Sequence, residues 1–351
     1  MLWNVADCLI FCLSLKSFRL PLQAQPLNLR SCSTGHSHMD KAVVFTIILS
    51  ALMGVCLLMK GWLMKRFLMA CLGLFIVATL SFYLHKPVLN AWHAGVLSWH
   101  TFRLSNTALP DGAMDLSRYR VTIDGKPIPA LEDDLSALTY NREKNTLWAL
   151  LNSDPVVVEL SLEGELLRSI RIEGVRDMEG LTHVSGDRYV IAEERTHRLL
   201  VVDIPDGVDS VHTEGVPTLV VGIGSETNKG FEGLSWDDDG QRLLVVKERN
   251  PMRVIEVTGF VSFVVGEPIK VGIREIKSPD SPELFMRDLS SITHVRGVGH
   301  KLFLSDESHM LVEYNAARQS ISLLDLRAGR SGLESTIPQA EGVAVDSELN
   351  I

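Results

Sequence analysis

Asp177-Met-Glu-Gly-Leu-Thr182 recurs in altered form at Asp134-Leu-Ser-Ala-Leu-Thr139, Gly230-Phe-Glu-Gly-Leu-Ser235, Asp288-Leu-Ser-Ser-Ile-Thr293 and Gln339-Ala-Glu-Gly-Val-Ala344. The five starts are separated by 43, 53, 58 and 51 residues. Each unit holds several short apolar runs bounded by Gly, Asp and Pro, which read as strands. A loose repeat of this length built from short strands is the pattern of a β-propeller, and five copies predict five blades. The expected fold class is therefore all-β.

The runs predict strands at 178–184, 188–192, 199–204 and 218–221 in the second blade. They predict 231–236, 242–246 and 253–257 in the third, and 289–295, 301–304, 310–314 and 321–326 in the fourth. Tyr119-Arg-Val-Thr-Ile123 alternates like a strand and is expected to close the ring as the outer strand of the last blade. The fifth phrase opens at Gln339 and 13 residues follow from there to Ile351, whereas a blade needs about 40, so a truncated and frayed last blade is expected.

Residues 1–86 carry eight Lys or Arg against Asp7 and Asp40, a charge of +6. With −9 for the whole chain, the remainder carries −15. Such an acidic domain argues against a nucleic-acid partner, which needs clustered Lys and Arg. All five cysteines precede the repeats, so the propeller has neither a disulfide framework nor a thiolate metal site.

Residues 42–59 and 67–84 contain no charged side chain. Each is 18 residues long, near the lower end of what spans a bilayer as a helix. One or two N-terminal transmembrane helices are thus expected within an anchor at 39–86. Lys60, Lys65 and Arg66 between the runs belong in the cytoplasm, which puts the propeller on the extracytoplasmic side whether one or both runs span. Residues 1–38 fit this plan poorly, and Met39 or Met64 would make better starts; 87–117 read as a linker and 118–351 as the propeller.

The third position of the phrase is Ser136, Glu179, Glu232, Ser290 and Glu341. Equivalent positions on innermost strands converge on the axis of the disc, so three carboxylates and two hydroxyls should meet. Antiparallel pairing brings the end of the following strand to the same face, adding Glu194, Glu248 and Glu307. Two carboxylates ~5 Å apart repel by about 3 kcal/mol at an effective dielectric near 20. A hard cation relieves this, and Ca²⁺ takes six to eight oxygens in flexible geometry. The same groups could instead bond to backbone amides and to Arg176, Arg195, Lys247 or Arg249.

His183 and His294 share a slot with Tyr140, Trp236 and Val345, which points to packing between blades. Asp237-Asp-Asp-Gly240 lacks the ligand spacing of a calcium loop and reads as a hairpin turn. There is no Gly-x-Ser-x-Gly elbow, His-Glu-x-x-His or P-loop. An enzyme here would need metal-activated water with carboxylate bases.

The run from Asp134 to Asp346 resembles the SdiA-regulated family of bacterial envelope proteins. The likeness is carried by Arg176-Asp-Met-Glu-Gly-Leu-Thr-His-Val184, Ala192-Glu-Glu-Arg195, Phe231-Glu-Gly-Leu-Ser-Trp236 and Asp288-Leu-Ser-Ser-Ile-Thr-His294. The resemblance implies a five-bladed propeller distantly similar to NHL-repeat propellers, a bound Ca²⁺ and an N-terminal anchor in the inner membrane with the propeller in the periplasm. The expected role is binding or scaffolding of a protein or small-molecule ligand. The alternative is a calcium-dependent hydrolase of phosphoesters or lactones, on analogy with other propellers.

Overall fold

The computed structural model describes residues 61–129, 131, 135–151, 153–222, 230–249, 251–262, 270–277 and 284–351. Its contacts divide the chain into two compact units, Met1–Phe82 and Tyr83–Ile351. The expected leader and the run 42–59 lie outside the described residues.

Helix α1 spans Trp62–Ser105 and has Pro87 inside it. The charge-free run 67–84 lies within α1. Among the described residues no helix is long and apolar enough to cross a membrane; the side chains of 63, 64, 68, 78 and 80–86 are not among them. Of the residues 87–117 expected as a linker, those up to Ser105 lie in α1. In the second unit Val96 and Leu97 pack against the apolar cluster that includes buried Phe285 and Tyr314. His100 stacks on Phe285 with centroids 3.9 Å apart, and Arg103 donates to Ser320 Oγ at 2.8 Å. This segment is therefore bound to the blades by apolar burial and a hydrogen bond.

Four blades follow. The first is β1 (Leu135–Asn141), β2 (Thr146–Leu151), β3 (Val156–Leu160) and β4 (Leu166–Glu173). β5 (Met178–Ser185), β6 (Arg188–Glu193), β7 (Arg198–Asp203) and β9 (Thr218–Val220) form the second. Between them in sequence, β8 (Ser210–His212) leaves its own blade and pairs parallel to β4. The third blade is β10 (Phe231–Asp237), β11 (Arg242–Lys247), β12 (Arg253–Thr258) and β13 (Gly272–Lys277). The fourth is β14 (Ser291–Val295), β15 (His300–Ser305), β16 (Met310–Tyr314) and β17 (Ser320–Asp325). The all-β propeller fold expected from the repeat is present, and the strands predicted for blades two to four fall within two residues of those observed. The exception is β13, which the apolar pattern did not disclose.

Apolar faces of successive blades make the core. Trp148, Ile170 and Ile172 pack with Tyr189, Ile191 and Leu200. Val190, Ala192 and Val201 pack with Phe231, Leu243 and Ile255. Burial of such side chains stabilises by roughly 1.5–3 kcal/mol each, which is what holds one sheet to the next.

Between blades four and one, residues 326–351 form no strand. The fifth phrase is nevertheless packed: Ala340, Val343 and Ala344 are buried. The carbonyl of Ala340 accepts from Ser290 Oγ at 2.7 Å, and its N–H donates to Asp306 Oδ1. A Cβ on Gly342 would stand 2.7 Å from Leu138 N, so this segment touches β1 of the first blade. The expected outer strand at Tyr119–Ile123 is not formed. Its one ladder-like bond is Val121 N–H to the Ser331 carbonyl, because 331 is itself irregular and offers no strand to pair with.

Candidate functional site

The third position of the phrase is special for a reason the repeat alone does not reveal. In β1, Leu135 faces Leu151 and Ala137 faces Leu150, which leaves Ser136 without an opposite residue. The same slip isolates Glu179 between Met178 and Gly180, and Glu232 between Phe231 and Gly233. In the fourth blade both Ser290 and Ser291 address Leu304. A β-bulge at this place turns the extra residue out of the regular alternation. The next position is small because blades meet there. A Cβ on Gly180 would lie 2.8 Å from Leu234 Cγ, and one on Gly233 would lie 2.8 Å from Ser291 Cα.

Glu179 is the centre of the acidic face. Its carboxyl is pushed up to about 8, first by burial and then by the negative charges of Glu194, Glu341, Asp177 and Glu248. Of the eight residues expected at the metal site, Glu194, Glu248 and Glu341 are thus close enough to act on Glu179. Glu194 also reaches the third phrase, where its Oε1 accepts from Gly230 N–H at 3.0 Å. Glu232 acts on Lys247, which is buried and donates to the Arg249 carbonyl. Burial holds the Lys247 ammonium below its ordinary range, the Arg253 charge adds to this, and Glu248, Glu194 and Glu232 oppose it.

The remaining expected ligands have other work. Ser136 donates to the Met178 carbonyl at 2.9 Å, and Ser290 to that of Ala340; both hydroxyls tie one blade to the next. Glu307 is held by Arg249 and by Arg287, the latter at 3.2 Å. Arg249 also pairs with Glu248. Arg195 is at 3.1 Å from Asp177. Asp288, in the first position of the fourth phrase, accepts from Ser305 Oγ and from Glu307 N–H. Glu307, Ser136 and Ser290 therefore support the face, while the Glu179 group carries its excess charge.

At the other end of the same strands lies a cavity of about 470 Å³. The slot shared by Tyr140, His183, Trp236, His294 and Val345 lines it, so packing between blades describes these residues incompletely. His183 does pack on Tyr189, with centroids 5.1 Å apart, and its Nε2 meets the Gly186 carbonyl at 3.0 Å. Burial holds the His183 and His294 imidazoles below their usual range. The phrase's last residue lies beneath them. Thr139 Oγ1 accepts from His183 N–H at 3.1 Å, Thr182 Oγ1 from Trp236 N–H at 2.9 Å, and Ser235 Oγ from His294 N–H at 2.8 Å. In blades one to three one hydroxyl thus pins the innermost strand of the next blade. A repeated Thr or Ser at that place was the available signal.

Asp237, Asp239 and His294 also bring ligand atoms within 4.8 Å of one another. Asp237 already accepts from Gly240 N–H at 2.9 Å and pairs with Arg242 at 2.6 Å. These bonds are those of the hairpin turn expected for Asp237-Asp-Asp-Gly240.

A family model described as SdiA-regulated matches residues 112–351. The chain belongs to the SdiA-regulated family. Among solved structures, this SdiA-regulated chain is similar to the β-propeller domain of Myceliophteria thermophila Cps50 (Swd1), at 14% identity and a TM-score of 0.33. That match covers 57% of this chain and 57% of that one. It is also similar to a chain of a nidogen/laminin complex, at 12% identity over 61% of this chain and 69% of that one, with a TM-score of 0.40. Streptogramin B lyase is similar at 11% identity over 64% and 62%, with a TM-score of 0.36.

Proposed function

We propose that this protein is a membrane-anchored, extracytoplasmic β-propeller that binds Ca²⁺ on its acidic face and serves as a binding or scaffolding module. One observation carries the reading: burial and four neighbouring carboxylates push Glu179 up to about 8. A donor set made only of carboxylate oxygens, crowded enough to hold a proton near neutrality, fits a hard cation better than it fits Zn²⁺. Glu179, Glu194, Glu341 and Glu248 are the residues that would hold it. Bound there, the ion would supply the positive charge that lets these groups ionise together.

The packing of the fifth phrase between Asp306 and Leu138 favours a fifth blade position in the ring. The anchor is supported by the charge-free runs 42–59 and 67–84 and by exposed Phe67, Leu74 and Val77 on α1. A hydrolase that grips phosphate would need uncommitted cations near the metal. Here Arg249 serves Glu248 and Glu307, Arg195 serves Asp177, and Lys247 serves a carbonyl, which favours the binding module.

Calorimetric titration of the full chain in detergent with Ca²⁺ tests the proposal. Saturable binding that Glu179→Gln weakens is expected. Absence of binding together with an unchanged melting temperature in Ca²⁺ would sink it.

A further inference from the structure

We infer that the cavity opposite the acidic face is a second binding site, one that takes a small organic oxyanion bearing a carboxylate or phosphate group. The inference does not depend on calcium, because the two sites lie at opposite ends of the innermost strands. From Glu179 to Thr182 and His183 is three to four residues, about 10–13 Å along a strand.

The argument is an accounting of donors and acceptors. A hydroxyl has one proton and accepts through its lone pairs. Thr139 and Ser235 each use the oxygen to accept a backbone N–H from the next blade, and among the described residues neither proton meets a protein acceptor. Thr182 does the same, and its own nearest acceptor is the His183 carbonyl at 3.5 Å, the outer limit of a hydrogen bond. All three are at least nine-tenths buried, with exposures of 9%, 5% and 3% for Thr139, Ser235 and Thr182. Three blades therefore line one cavity floor with hydroxyls whose protons meet no good protein acceptor among the described residues.

The carboxylates of the rim, by contrast, each already have a partner within the protein. The two oxygens of Glu143 share the one Gly186 N–H, at 3.0 and 2.9 Å. Asp346 holds the N–H groups of Glu348 and Asn350 and the side-chain amide of Asn350. Asp238 pairs with Arg296 at 2.5 Å. Arg142 lines the cavity, is exposed, and makes no ion pair among the described residues. Surplus donors at the floor and an uncommitted guanidinium at the rim select a ligand that brings acceptor oxygens and negative charge. Tyr140, Trp236 and Val345 wall the space between with apolar surface, which suits a compact ring-bearing body. The volume of about 470 Å³ lies within the usual range of small-molecule sites.

Calorimetric titration of the full chain in detergent and EDTA with benzoate and with phenyl phosphate tests this. The EDTA removes any metal contribution, and the two probes separate a carboxylate from a phosphate preference. Saturable binding of at least one probe is expected, unchanged in Glu179→Gln and weakened about tenfold in Arg142→Gln. Because Arg142 is exposed, its replacement should leave the melting temperature alone. Ser235→Thr, which keeps the hydroxyl, should retain more binding than Ser235→Ala. No saturable binding of either probe, or equal binding by the wild type and Arg142→Gln, would overturn the inference whatever the calcium titration shows.

Discussion

Replacing Glu179 by glutamine should stabilise the metal-free protein at mildly alkaline pH and blunt its response to Ca²⁺. In the folded chain this carboxyl holds its proton up to about 8, against 4.5 for an ordinary glutamate. Between those values the folded state keeps a proton that the unfolded chain has released, so stability falls as pH rises through the window. The penalty is complete above the folded value and vanishes below the unfolded one. At about 1.4 kcal/mol per pH unit, the span amounts to at most about 5 kcal/mol. For a domain of this size each kcal/mol moves the melting temperature by roughly 2–4 °C, so a shift on the order of 10 °C is available. Glutamine carries no charge to lose and also relieves Glu194, Glu341, Asp177 and Glu248, the groups that raise Glu179. Differential scanning calorimetry of wild type and Glu179→Gln, below and above the window, in EDTA and in Ca²⁺, gives the answer. The wild type should lose stability with rising pH in EDTA and regain it in Ca²⁺, while the variant changes little in either comparison. Parallel melting curves for the two proteins across pH, with equal calcium shifts, would refute the electrostatic reasoning.

Gly233→Ala should destabilise by about 1–3 kcal/mol or more, since its Cβ would fall 2.8 Å from Ser291 Cα and 2.9 Å from Ile292 N; a urea midpoint equal to wild type would show that the blades can part. Thr182→Val removes the acceptor for Trp236 N–H at a site 3% exposed and should cost about 1–3 kcal/mol, whereas Thr182→Ser should keep most of the stability. Equal unfolding midpoints for the two variants would count against the hydroxyl tie. Deletion of residues 1–86 should move the protein from an alkaline-carbonate membrane pellet to the supernatant; a deletion product that stays in the pellet would argue that the charge-free runs are not the anchor.

Much of the architecture was readable in the chain because a propeller repeats itself. Equivalent positions of a ring must converge, so Glu179, Glu232 and Glu341 were expected near one another, with Glu194 and Glu248 brought to the same face by strand pairing. The Thr139, Thr182 and Ser235 ties were visible as a repeated hydroxyl but not as hydrogen bonds, since each partner lies one blade away. Arg249 was one of several partners the chain offered the acidic groups, but its pairing with Glu307, 58 positions away, is decided only when blades three and four fold together.

The repeat by itself settled the class of fold and the order of most strands, because apolar periodicity and turn residues are local and a ring multiplies whatever each unit holds. Tertiary structure alone decided the bulges that isolate Ser136, Glu179 and Glu232, the packing of Val96, Leu97 and His100 against the blades, and the cavity beneath Tyr140 and Trp236. Each of those depends on register or contact between segments distant in the chain. Neither quantity is encoded in the spacing of residues along one strand.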